Sequence, residues 1–316
     1  MECRLSIVVP AYNAMSSLEA CIKSIMSGQY QDFEILLVDD GSTDGTSELC
    51  DFLAKEYSKI RTFHTENRGI SMARNLGIDQ ASGTYIGFVD ADDVVTPNMF
   101  SAMADKMESD IQLVCCRFAK CRREDMSQLP CTGKYHVYAG KAIAEQILCN
   151  YYGSYVWSKL YVREVLNINH IRFKPGYIME DQYFMMDYLR VCKRAVFLED
   201  QLYYYVDTPN SITNSFRNRR HVEKKYIYLP RGWVYTAEVV SQYKDLSNLA
   251  KARAAMTYQS VLRKIEPECD EFTAEAVAFV RKNNHQLVRY SWGIRYFISG
   301  VLLCISYRLW ARLLRR

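Results

Sequence analysis

Three acids in one turn are the residues best suited to chemistry in this chain: Asp90, Asp92 and Asp93 follow the hydrophobic run YIGFV as the sequence DADD. Carboxylates grouped in this way suit a hard divalent cation, Mg2+ or Mn2+. Such an ion takes oxygen ligands, usually only one or two from protein, and completes its octahedron with water and phosphate oxygens. The same residues also make an ordinary turn with an Asp N-cap ahead of the helix after Pro97, and by themselves they leave both readings open. A second pair, Asp39 and Asp40, ends the run EILLV and opens the polar turn GSTDGT, where Gly41 and Gly45 also serve as backbone punctuation. A carboxylate there could accept a hydrogen bond from a nucleobase N–H, and Tyr12 could stack on the ring, although an aromatic at the end of a strand more often takes a half-buried core position. A third pair, Glu180 and Asp181, reads on its own as a solvated helix N-terminus, which the helix dipole favours.

These acids need elements to bring them together. From Leu5 to about Val95, short β-rich runs alternate with amphipathic stretches, the pattern of βαβ units building a mostly parallel sheet. Ser6 to Tyr12 is the first expected strand, and Ser16 with Glu19 reads as a capping box ahead of Leu18, Ile22, Ile25 and Met26, one face of a helix. EILLVDD is the second strand, a helix from Thr46 carries Leu49, Phe52 and Leu53, and IRTFH, a helix from Ile70 to Gln80 and YIGFVDADD continue the alternation. Ligands of open α/β sheets gather outside the carboxyl ends of the strands. Tyr12, Asn13, Asp39, Asp40 and Asp90 to Asp93 are therefore expected to line one crevice. Past Pro97 come a helix, a strand around IQLVCCRF and a basic stretch with no clear period; a helix-rich module begins near Tyr226. The expected boundary is the run RNRRHVEKK at 217–225, giving a domain over residues 1–220 and a helical one over 221–316.

Four blocks in order, SIVVPAYN, ILLVDDGSTDGT, ENRGISMARNLGI and YIGFVDADD, resemble family 2 glycosyltransferases. VWSKLYVREVL, EDQYF and YYYVDTPNSIT resemble segments of the branch that builds bacterial cell-surface polysaccharides, so the likeness covers about two thirds of the chain. It implies an α/β, GT-A (Rossmann-like) fold, a mixed and mostly parallel sheet flanked by helices, followed by a helical C-terminal module. It also implies a hexosyl- or N-acetylhexosaminyltransferase using a UDP-sugar donor, Mn2+ or Mg2+, and a lipid-linked glycan acceptor. Residue by residue, the resemblance puts Pro10, Tyr12, Asn13, Asp39, Asp40, Arg74 and Asp90 around the nucleotide, with Tyr12 and Asp40 holding the base. Asp92 would bind the metal, assisted by Asp90, and the role of Asp93 is left open. Asp181 would be the general base of an inverting transfer, with Glu180 orienting it or touching acceptor. The chemistry is coherent: a cation bridging both phosphates neutralises the departing charge, while a carboxylate within about 3 Å of the acceptor hydroxyl takes its proton. Arg68, Arg74, Lys159 and the 217–225 run are candidates for diphosphate contact, the last as a mobile lid. A catalytically silent nucleotide-sugar-binding protein at the membrane surface is the alternative.

Other classes are excluded or disfavoured. No GxGxxG follows the first strand, neither GxxxxGK[ST] nor a serine or cysteine nucleophile elbow occurs, and the five histidines show no metal-ligand spacing. Eleven cysteines without a CxxC pair point to free thiols and hence a cytoplasmic setting. The net charge of +4 is unevenly spread, because residues 276–316 hold eight Lys or Arg and no Asp or Glu. That asymmetry favours an anionic bilayer leaflet over nucleic acid as partner of the tail. The apolar run from Tyr296 to Tyr307 extends about 18 Å as helix, too short for a hydrocarbon core of about 30 Å. From Tyr307 on, Leu309, Trp310, Leu313 and Leu314 fall on one face and Arg308, Arg312, Arg315 and Arg316 on the other, the design of an interfacial helix. The expectation is a protein peripheral on the inner face of the cell membrane, with a homodimer also compatible with so apolar a tail.

Overall fold

Strand β1, Leu5–Ala11, is buried along its whole length, as is β2, Phe33–Asp39. Burial on both faces explains why these runs are continuously apolar instead of alternating. The computed structural model describes residues 4–122, 131–149, 152–207, 224–264, 270–290 and 293–314. The described residues fall into two compact units, Met1–Pro175 with Asp187–Thr208, and Gly176–Met186 with Pro209–Arg316. The segment 176–186, which carries Glu180 and Asp181, thus belongs with the helices of the second unit.

The first unit is built on a nine-stranded sheet. Its strands after β2 are β3 (Ile60–His64), β4 (Tyr85–Phe88), β5 (Val94–Val95), β6 (Leu113–Cys121), β7 (Tyr135–Ala139), β8 (Lys159–Val162) and β9 (Arg194–Val206). The order is β3-β2-β1-β4-β8-β6-β9-β5, with β7 on β9. β1 pairs in parallel with β2 on one side and β4 on the other, β2 in parallel with β3, and β6 in parallel with β9; the remaining pairings are antiparallel. Helices α1 (Leu18–Met26), α2 (Thr46–Glu56) and α3 (Ile70–Gln80) make the crossovers, followed by α4 (Met99–Ala104), α5 (Lys141–Leu148) and α6 (Arg163–Ile168). This is a mixed sheet with flanking helices, parallel throughout β3-β2-β1-β4, and β1 is its topological switch, because the chain runs outward to β2 and β3 and then returns to the other side as β4.

Two local expectations are corrected. The cap of α1 is Ser17, not Ser16, and its hydroxyl donates to the Ala14 carbonyl rather than accepting from the helix. In α2 the buried face is Thr46, Cys50 and Leu53, and Phe52 points to solvent.

Helix α7 (Glu180–Leu189), which belongs to the second unit as far as Met186, begins after a left-handed residue, Met179, with φ 64°. Helices α8 (Tyr228–Val239), α9 (Lys244–Leu262), α10 (Asp270–Asn283), α11 (Ile294–Ile305) and α12 (Tyr307–Leu314) follow. Their core gathers Ala252, Ala255, Tyr258, Leu262, Phe272, Val280, Leu303 and Trp310. A forked ion pair from Arg231 to Glu275, which also accepts from the Tyr258 hydroxyl, joins α8, α9 and α10. No described helix is long and apolar enough to cross a membrane.

Candidate functional site at the strand ends

Parallel pairing puts the ends of β1, β2 and β3 level, with Ala11 opposite Asp39 and Asp39 opposite His64. On the other side of β1 the ladder stops earlier. Val8 opposite Phe88 is its last pair, extended by one bond from the Val89 N–H to the Val8 carbonyl at 3.1 Å. Pro10 has the parity of Val8, so its missing N–H falls on the side where pairing has already ended and no ladder bond is lost. The sheet opens there, between β1 and β4, at the strand ends that lead into Tyr12, Asp39 and Asp90.

Tyr12 stands at the mouth, 52% exposed, which removes the core-aromatic reading. Beside it Asn13 adopts φ 48° and stitches two loops: its N–H donates to Ser42 Oγ at 2.9 Å and its Oδ1 accepts from the Thr43 N–H at 2.8 Å. Asp44 completes the stitch, accepting from the Met15 N–H and from Thr46. The polar turn after β2 is therefore a clamp between the β1 and β2 loops.

Asp39 and Asp40 are both buried, and each is bound to its surroundings. Asp39 accepts from the Ser42 N–H at 3.1 Å, from Ser47 Oγ and from His64 Nδ1 at 3.1 Å. Burial opposes its ionisation, but the donors Ser42, Ser47 and His64 hold its carboxyl below the usual carboxylate range. Hydrogen bonds to Asp39 first, and to Asp51 next, raise His64 above the usual histidine value. Asp40 accepts from the Arg68 N–H at 2.9 Å and the Gly69 N–H at 2.8 Å, fixing the loop that enters α3.

Helix α3 supplies the cation of the site. It can lie directly on β1 because position 77 is glycine: a Cβ there would meet Val8 Cγ1 at 2.3 Å. Arg74, one turn earlier, is thereby buried, with its guanidinium 5.2 Å from the Phe173 ring centroid and Nη2 donating to Asp90 Oδ1 at 2.8 Å. Sequence reasoning placed Arg74 toward nucleotide; its position makes it the partner of the first acid of the D-x-D. Asp90 and Asp92 are both partly exposed, whereas Asp93 turns inward and is buried.

Asp93 is the residue whose role sequence left open. Tyr203 on β9 donates to Asp93 Oδ2 at 2.6 Å, the Val206 N–H donates to Oδ1 at 2.8 Å, and the Asp90 N–H donates to the Tyr203 hydroxyl at 3.2 Å. Burial first, then the charges of Asp90 and Asp92, push the Asp93 carboxyl up to about 8 against the pull of those two donors. The DADD turn is thus fastened to β9, more than a hundred residues later, by a buried acid whose ionisation is disfavoured by its surroundings. Tyr203 is itself held by stacking on Trp157, 4.6 Å between centroids and 14° between planes. The signal for Tyr203 lay in the YYYVDTPNSIT segment, but nothing local distinguished it from Tyr204 or Tyr205.

The donor set suits a hard cation: carboxylate oxygens only, with Asp90 and Asp92 partly open to solvent and Asp93 withdrawn. Among the described residues no three or more His, Cys, Asp or Glu side chains form a cage that could hold an ion alone. Asp92 with Asp90 could hold one while phosphate and water complete the shell. Lys159, a candidate for diphosphate contact, is instead fully buried and donates to the Tyr152 carbonyl at 3.1 Å. Arg68 stays exposed on its loop, and the side chains of the 217–225 run lie outside the described residues. In the second unit, Glu180 and Asp181 occupy the first turn of α7. That turn is anchored by Gln182, whose amide donates to Thr236 Oγ1 on α8 at 2.7 Å, and by Tyr183 packed against Tyr177 and Tyr235.

A parallel half-sheet with acids at its switch point and an acidic turn at the end of the next strand is the layout of a GT-A glycosyltransferase. Residues 6–166, half of the chain, match the model of glycosyl transferase family 2, and the chain belongs to that family and is a glycosyltransferase. It is 34% identical over 231 residues to the uncharacterized glycosyltransferase EpsJ of Bacillus subtilis, covering 70% of this chain and 67% of that protein. Among solved structures it is similar to S. aureus TarS 1-349 in complex with UDP-GlcNAc, with TM-score 0.66, 19% identity, and 96% and 91% of the two chains covered. It is also similar to the mannosyltransferase PcManGT of Pyrobaculum calidifontis in complex with GDP-Man and Mn2+, with TM-score 0.55, 15% identity, and 98% and 88% covered.

Proposed function

We propose that this chain is an inverting, metal-dependent glycosyltransferase that moves a sugar from a UDP-sugar to a hydroxyl of a lipid-linked or polysaccharide acceptor. The observation that carries the reading is the organised acidic turn, with Asp90 paired to Arg74, Asp93 locked to β9 and Asp92 partly exposed on the same turn, which follows the strand beside β1. A divalent cation held by Asp92 and Asp90 would supply charge neutralisation for the leaving nucleoside diphosphate. Tyr12 offers an exposed ring for stacking on the base, and Asp39 and Asp40 shape the pocket wall through the loops they fasten, with Pro10 opening the sheet and Asn13 joining the two loops. Asp181 takes the proton of the attacking hydroxyl, and Glu180 orients it. In-line attack inverts the anomeric centre. The choice of UDP is supported by the likeness to TarS, solved with UDP-GlcNAc, and that of Mn2+ by the likeness to PcManGT, solved with GDP-Man and Mn2+.

The test is a donor screen of the purified chain with UDP-, GDP- and dTDP-sugars, scoring nucleotide release with and without Mn2+. Metal-dependent release that is lost in Asp92→Ala is expected. In Asp181→Asn, transfer is expected to fall by about 10²–10⁴-fold, the range of a lost general base, while UDP binding persists. A chain that binds UDP yet releases nucleotide from no donor would instead be the catalytically silent binding protein.

A further inference from the structure

The apolar face expected on the last helix is divided: Leu309 and Leu313 are exposed, whereas Trp310 is not. Trp310, expected at a membrane surface, is buried in the helical unit, and its Nε1 donates to Ser299 Oγ at 2.9 Å, folding α12 back against α11. What faces outward is aliphatic: on α11, Ile294 (58% exposed), Ile298 (57%), Val301 (41%) and Ile305 (72%), and on α12, Leu309 (45%) and Leu313 (55%). The α11 residues recur at intervals of four, three and four, so they form one line along the helix. The rotation of α11 is fixed from the inner side. A Cβ on Gly300 would meet Asn284 Oδ1 at 2.1 Å, Asn284 Nδ2 donates to the Phe297 carbonyl at 2.9 Å, and Arg263 donates to Ser299 Oγ at 3.0 Å. The helix cannot turn its isoleucines inward without breaking these contacts.

From this face we infer that the second unit docks on an anionic lipid bilayer, with Ile294, Ile298, Val301 and Ile305 set into the headgroup–acyl boundary. Charge decides the occupant. The segment 276–316 holds eight Lys or Arg and no acid, and Lys282, Arg289 and Arg295 are exposed. An aliphatic line within a wholly basic segment matches an acidic lipid surface. A two-fold dimer through the same face would set this basic segment against its own copy and meet like-charge repulsion. α11, 12 residues long, lies along the surface rather than through it. Docking of this kind would present a lipid-carried acceptor to the enzyme and to that extent rests on the function proposed above; donor turnover in lipid-free buffer reports on that function separately.

The experiment is flotation of the full chain with vesicles of phosphatidylcholine alone and with about one third phosphatidylglycerol. The wild type should float with the anionic vesicles and remain below with the neutral ones. Ile298→Asp with Ile305→Asp should lower anionic-vesicle partitioning by about tenfold or more, with Mn2+-dependent nucleotide release in buffer unchanged. Ile298→Ser with Ile305→Ser, which removes apolar surface without adding charge, should also reduce flotation and serves if the aspartates disturb folding. Equal recovery of wild type with both lipids, or unchanged flotation of both double variants, overturns the inference. So does a wild-type dimer in sedimentation equilibrium that the variants convert to monomer without loss of flotation, since the face would then be a subunit interface.

Discussion

Removing one oxygen atom tests whether β9 organises the acidic turn. In Tyr203→Phe the ring stays stacked on Trp157, and only the hydroxyl that donates to Asp93 at 2.6 Å and accepts from the Asp90 N–H at 3.2 Å is lost. Tyr203 is fully buried, so the Asp90 N–H and one oxygen of Asp93 lose their partner where bulk water does not replace it. A buried polar group stranded in this way costs about 1–3 kcal/mol, and two such groups, one still held by the Val206 N–H, give about 2–4 kcal/mol. At about 2–4 °C per kcal/mol for a unit of this size, Tm should fall by roughly 5–10 °C. The measurement is thermal unfolding at neutral pH, followed by circular dichroism, alongside Mn2+-dependent nucleotide release, which should fall as the turn loosens. A Tm within about 1 °C of wild type, with release unchanged, would refute the argument that the hydroxyl fastens the site.

Two further outcomes follow from the buried charges. Arg74→Met keeps most of the volume under Phe173 but leaves Asp90 unpaired beside Asp92 and Asp93. A loss of about 3 kcal/mol is expected, at the low end for a broken buried pair because the Asp90 side chain is 23% exposed; a denaturation midpoint equal to wild type would show that the pair contributes nothing. His64 binds its proton more tightly in the folded chain because of Asp39 and then Asp51, so its contribution is complete below the ordinary histidine value of about 6.5 and is lost as pH rises through the raised one. The Tm gap between wild type and His64→Gln should therefore be widest near about pH 6 and close toward about pH 9, modestly because the ring is partly exposed; a gap independent of pH contradicts the assignment.

Local periodicity and strand-end chemistry in the sequence were enough to specify the alternation from β1 to β4, the placing of Tyr12, Asp39 and Asp90 at the carboxyl ends of neighbouring strands, and the helical character of the C-terminal portion. These features are encoded within a few residues of one another, in runs of apolar side chains and the turns that end them. Pairings between distant segments were beyond that reach. That Arg74 neutralises Asp90, that Lys159 is a core residue, and that Tyr203 and the Val206 N–H hold Asp93 depend on which strands become neighbours, and β9 reaches the D-x-D turn only through sheet pairing. The same limit explains Phe52 and Trp310. A helical wheel shows which side chains share a face but not which face meets the core, and Trp310 lies inside because the bend at Ser306 folds α12 onto Ser299. Propensity and pattern are properties of a segment; the burial of Asp93, the partner of Arg74 and the outward face of α11 are properties of the packing around them.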